Sequence, residues 1–159
     1  MMTDLLKDTT NQNNKRIYDI WLQAVEKQYA QLNEKMYIKE KVDTAKLFTL
    51  TQRIFMVAER LDSIDMQPDK KGKVSPEYRK DNAKRLSGYR PNLFYGGAYY
   101  VRKHNFSKAY DFFEMYIDCD RQPLFEGYEF ENTDSRMGEA AYWATYCGYR
   151  MDEPMLCLR

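Results

Sequence analysis

Gly96 and Gly97 stand side by side in a stretch whose apolar residues otherwise keep a helical period. A glycine in a helix interior costs about 1 kcal/mol relative to alanine, so two in succession need a compensating gain. A close crossing of two helices supplies one, because a residue without a side chain lets a second element approach. The stretch reads Leu93-x2-Gly96-Gly97-x2-Tyr100 and continues with Ala109-x3-Phe113. Ala109 is the expected small partner of Gly97, with Tyr100 and Phe113 as the aromatic residues packed beside the crossing. Leu93 to Phe113 is therefore expected to be a pair of helices turning at His104-Asn105.

The same period extends over most of the chain. From Lys15, the residues Ile17, Ile20, Trp21, Ala24, Val25, Leu32 and Met36 share one face of a helix expected to end near Lys39. Asp43 is a candidate N-cap for a second helix, with the stripe Leu47, Leu50, Ile54, Phe55, Ala58 and Leu61, ending near Met66 before Pro68. The short gap between the two predicts an antiparallel hairpin over 15–68. Ser75-Pro76-Glu77 has the chemistry of a helix start and Gly88 that of a stop. Residues 75–159 are then expected to hold the paired helices, at about 91–103 and 106–119, and a further helix from near Ser135 with a small-residue face of Ala140, Ala141, Ala144, Cys147 and Gly148. Residues 1–14 are polar and expected to be a flexible lead-in. Asp152-Glu153-Pro154 resembles one more helix start, so the last repeat is expected to be incomplete and the chain truncated at its C-terminus.

Composition narrows the function classes. The 159 residues carry 25 basic and 24 acidic side chains, a net charge of +1, which provides no broad field for nucleic acid. No apolar run approaches the length of about 18 residues that spans a bilayer, and no targeting signal is legible; taken literally, the chain is cytoplasmic. The three cysteines, Cys119, Cys147 and Cys157, show no metal-ligand spacing, and neither cofactor nor metal is expected.

The 93–113 pattern resembles the tetratricopeptide repeat (TPR), whose template is W-x2-L-G-x2-Y followed by A-x3-F. Leu93 takes the tryptophan position, Gly97 and Ala109 the two small crossing positions, and Tyr100 and Phe113 the packing aromatics. Gly96 stands where leucine is usual and Tyr116 where alanine is usual. The chain is also similar to the N-terminal part of long bacterial TPR-containing proteins, through 39–44 (KEKVDT), 65–69 (DMQPD), 89–93 (YRPNL) and 139–144 (EAAYWA). The resemblance implies an all-α fold of antiparallel helical hairpins stacked as a TPR-like α-solenoid. It also implies a bacterial periplasmic or cell-envelope setting if a signal has been removed.

In such hairpins the first helix lines a groove. The resemblance carries the partner-binding positions onto Phe94, Ala98 and Val101, with Arg102 at the edge. An apolar lining suits a helix or an extended peptide; packing of Phe94 and Val101 into the core is the competing reading. Fourteen tyrosines, among them Tyr95, Tyr99, Tyr110, Tyr142, Tyr146 and Tyr149, serve either as filler between helices or as an interface. His104, alone in a turn, and Cys147, on a small-residue face, form no catalytic constellation. Glu126, Glu129, Glu131 and Asp134 are too irregularly spaced for a calcium loop and are expected to be solvated. A non-catalytic scaffold that binds a protein or peptide through a helical groove follows as the expectation. The alternatives are a structural cap whose function lies in further repeats and, more remotely, an enzyme with a helical cleft.

Overall fold

The computed structural model describes Lys7 and residues 11–152. Among them the regular structure is helical throughout: α1 (Lys15–Tyr37), α2 (Thr44–Asp65), α3 (Arg79–Tyr89), α4 (Pro91–Arg102), α5 (Phe106–Asp118), a 3-10 turn (Pro123–Phe125), the four-residue α6 (Phe130–Thr133) and α7 (Met137–Arg150). The expected lead-in lies largely outside the described residues, as do the helix start at Glu153-Pro154 and Cys157. The chain divides between Leu86 and Ser87 into two compact units.

In the first unit α1 packs on α2. Asp43 caps α2, its carboxylate accepting from the Lys46 amide at 3.0 Å. The predicted stripe of α2 is buried as a whole, from Leu47 to Leu61. In α1 the buried positions are Tyr18, Leu22, Val25 and Tyr29. Ile20, Ala24 and Met36, expected inside, are exposed. The reason is volume: two tyrosine rings fill the seam, so the helix is rotated towards them and away from its smaller aliphatic residues.

The start of α3 also differs from expectation. Ser75-Pro76-Glu77 precedes the helix, which begins at Arg79. The two amides just ahead of the helix are met from α2. One Asp65 oxygen accepts from the Glu77 and Tyr78 amides at 2.8 and 2.7 Å, and the other accepts from Lys15 at 3.2 Å. Arg79 forks onto Asp62 with two bonds of 2.7 Å. Burial opposes ionisation of Asp65, but the two amides and Lys15 outweigh it and hold the carboxyl below its usual range. These bonds tie the beginning of α3 to α2, so the unit extends past the expected boundary at 68–75. Gly88 lies inside α3 rather than ending it. The helical ladder breaks at Arg90, because Pro91 has no amide hydrogen to donate.

In the second unit α4 packs on α5, and α5 on α7. Leu93, Phe94, Tyr100, Ala109, Phe112, Phe113 and Tyr116 form its core. The double glycine has a definite use. A Cβ on Gly96 would lie 2.6 Å from the ring of Phe112, and one on Gly97 would lie 2.6 Å from the ring of Phe113. The missing side chains make room for two aromatic rings, which stand nearest to them, where Ala109 was the expected neighbour. Ala109 is itself fully buried.

Candidate binding surface

Residues 120–134 were expected to be a solvated acidic loop, and three of the four acids are exposed. The segment is nevertheless anchored by buried Leu124, Phe125 and Phe130, and Asp134 turns inward. There it meets Arg90, whose side chain is only 5% exposed. The Arg90 guanidinium lies between two rings, 3.8 Å from the centre of Tyr116 and 4.0 Å from that of Phe130. Its N–H groups donate to the Tyr116 carbonyl at 3.1 and 3.2 Å, to the Met137 sulfur at 3.0 Å and to Asp134. The Tyr116 hydroxyl donates to the same Asp134 oxygen, and the Arg136 amide donates to the other at 3.0 Å. A buried charge is tolerated when it is paired and its donors are used, and Arg90 meets both conditions. Burial opposes the charge on Asp134, yet these donors hold its carboxyl below the usual range. Burial, and then the bond to Asp134, push the Tyr116 phenol up to about 12. This cluster fastens α4, α5, the 120–134 segment and the start of α7 into one body.

On that body lies a second set of aromatic and cationic groups, open to solvent. Residues 136, 139, 143, 146 and 150 recur at helical spacing and share one stripe of α7. The rings of Tyr142 and Trp143 are 5.5 Å apart, and those of Trp143 and Tyr146 are 5.6 Å apart. Tyr146 meets Phe106 of α5 at 6.0 Å, and Phe106 meets His104 at 6.0 Å. Arg150 stacks 4.4 Å above Phe106 and donates to the Tyr146 hydroxyl at 2.7 Å. At the other end Arg136 lies 5.4 Å from the Tyr95 ring and donates to its hydroxyl at 3.0 Å. Glu139 accepts from the Trp143 indole at 3.4 Å.

The expected groove positions are distributed unevenly. Phe94 is buried, edge-on to Phe113 at 5.5 Å and to Tyr116 at 5.7 Å, so its ring serves the core. Ala98 and Val101 are half-buried and Arg102 is exposed. His104 is exposed in its turn, with φ of 55°. Cys147 and Cys119 are buried free thiols, and burial alone pushes Cys147 up to about 11, away from nucleophilic use. Ala141, expected on the small face of α7, is exposed, while Ala140, Ala144, Cys147 and Gly148 are buried.

Sequence reading missed the first set and, of the second, singled out the tyrosines Tyr95, Tyr142 and Tyr146 without Arg136, Trp143 and Arg150. Arg90 and Asp134 are 44 residues apart, with no local signal to join them. The α7 stripe was findable in principle, since Arg136, Trp143 and Arg150 recur at intervals of seven. No helix among the described residues is long and apolar enough to cross a membrane. No family model matches the chain, and no curated protein or solved structure matches it.

Proposed function

We propose that this chain is a non-catalytic interaction module, built of TPR-like antiparallel hairpins, that holds a protein or peptide against the stripe of α7. The observation that carries this reading is the chain of rings from Tyr142 through Trp143, Tyr146 and Phe106, half-buried or exposed and mounted on a fastened core. Tyrosine, tryptophan and arginine dominate binding energy at interfaces because they bring large area and directed polar groups at low entropic cost. Tyr142 and Tyr149 are 64% and 75% exposed, an expense in contact with water that a partner would remove. Ala98, Val101 and Arg102 extend the contact along α4, where the TPR-like groove would run.

A photoreactive phenylalanine analogue at Tyr142 tests the proposal in cells that express the protein. Discrete covalent adducts with a protein partner, lost on Trp143→Ala, are expected. Absence of adducts, or adducts indifferent to Trp143→Ala, would refute the assignment.

A further inference from the structure

The cations on this surface are paired with rings, and that arrangement says what kind of partner fits. Arg136, Arg150, Lys103 and Lys108 each lie over an aromatic ring, at 5.4, 4.4, 5.8 and 5.3 Å. None of the four ion-pairs with a carboxylate among the described residues. A guanidinium that stacks, as that of Arg150 does on Phe106, uses its face and leaves its edge free, whereas Arg136 is held by the hydroxyl of Tyr95. Of the five N–H donors on each arginine, one goes to a tyrosine hydroxyl, at 2.7 Å for Arg150 and 3.0 Å for Arg136. Stacking also fixes the guanidinium in place before any ligand arrives, which lowers the entropy lost on binding.

Spacing gives the second constraint. Arg136 and Arg150 differ by four helical turns within one stripe, which is about 21 Å along the axis. An extended peptide covers that distance in about six residues. Between the two arginines lie Trp143 and Tyr146, an aromatic floor. The ends are not equal. Glu139 stands beside Arg136, whereas Arg150 has Phe106 and the Lys103-His104 turn next to it, with Asp152 two residues on.

We propose that the α7 stripe receives an extended acidic peptide segment. One carboxylate is held at Arg150, an apolar or aromatic side chain lies on Trp143 and Tyr146, and a second carboxylate about six residues away reaches Arg136. The proposal rests on the interaction-module reading and narrows its partner. Single-stranded nucleic acid fits less well, because it presents a phosphate at every nucleotide to a stripe with only two arginine anchors and Glu139 between them.

Selection from a random peptide display library with the purified full chain tests it, followed by titration of synthetic winners with blocked termini. Winners enriched in acidic residues about six positions apart around an aromatic residue are expected. Their affinity should fall about tenfold on Arg150→Glu, less on Arg136→Glu, and should weaken with salt. Arg150→Gln, which keeps a donor for Tyr146, separates loss of charge from loss of packing; circular dichroism confirms that each variant is folded. Winners without acidic bias that lose binding on Trp143→Ala but not on Arg150→Glu overturn the acidic partner and leave the module reading standing. Preference for a single-stranded oligonucleotide overturns it as well. If no peptide is enriched, both readings fail.

Discussion

Replacing four of the helical glycines, those at 88, 96, 97 and 138, by alanine, one at a time, gives opposite signs from one chemical change. The helix gains about 0.5–1 kcal/mol in each case, because alanine has less backbone freedom to lose on folding. At Gly88 and Gly138 nothing lies within 4 Å of the added carbon, so that gain is the whole effect. At Gly97 the carbon would sit 2.6, 2.7 and 2.8 Å from three atoms of the Phe113 ring, about 0.8 Å inside normal carbon contact. A flexible side-chain end would swing away. Phe113 is fully buried and held edge-on by Phe94 at 5.5 Å, so α4 or α5 has to move instead. Overpacking of this kind costs about 1–3 kcal/mol. Gly97→Ala should therefore lose about 1–2 kcal/mol net, a fall in melting temperature of about 2–8 °C. Gly96→Ala should lose somewhat less, since only two of its contacts with Phe112 fall under 3.0 Å. Adding Phe113→Leu should rescue part of the loss at Gly97, and thermal melts followed by circular dichroism read all five variants. If Gly97→Ala melts at or above the parent, or the four alanines behave alike, the ring-seat explanation of the double glycine is wrong.

Asp134→Ala leaves the Arg90 charge buried without its carboxylate and should cost about 3–5 kcal/mol in denaturant unfolding. Asp134→Asn keeps an acceptor and should cost less; a change under about 1 kcal/mol for the alanine variant would show that the rings and carbonyl alone hold Arg90. The pH dependence has two arms. Asp65 and Asp134 titrate lower in the folded chain than in the unfolded one, so their contribution is whole above about pH 4 and is lost as pH falls through the folded values. Glu26 opposes them: burial raises its folded value against the pull of Arg85, so its penalty at neutral pH is relieved on acidification. Tyr116 is raised to about 12, so its contribution is whole below about pH 10 and is lost as pH climbs towards 12. Tyrosinate absorbance recorded alongside unfolding should show this alkaline loss, and Tyr116→Phe should remove it; an identical alkaline profile in the variant would contradict the assignment.

What the sequence made legible follows from the range of the forces involved. Asp43 is recognisable as a cap because the amide it satisfies is three residues away. The α2 stripe is recognisable because one helix face carries nearly all its apolar bulk. The rotation of α1 was missed because Tyr18 and Tyr29 count as polar by their hydroxyls but pack by their rings. The start of α3 was misplaced because the two amides just ahead of it are held by Asp65, 12 and 13 residues earlier. Segment 120–134 looked like solvated acid because charge dominates its composition, whereas its course is set by the rings of Phe125, Tyr128 and Phe130, which lie 5.4–5.7 Å apart. At α3 a tertiary partner overrode a local signal, and in segment 120–134 rings close in sequence overrode the charge around them.

The two sets of side chains in the second unit are joined at one residue. Asp134 neutralises Arg90 with one carboxylate oxygen, and with the other it accepts the Arg136 amide at the entry to α7. The buried ion pair thus fixes where α7 begins, and with it the angular position of every residue in the stripe. A slip of one residue in the seating of α7 would turn its side chains by about 100° and carry Tyr146 and Arg150 away from Phe106. Half-buried aromatic residues hold a single orientation only if the helix bearing them does, and the Arg90–Asp134 pair holds α7 at its entry while Ala140, Ala144, Cys147 and Gly148 bury its inner face. The costly buried pair and the open aromatic face are in this sense one arrangement: the first sets the register that the second uses.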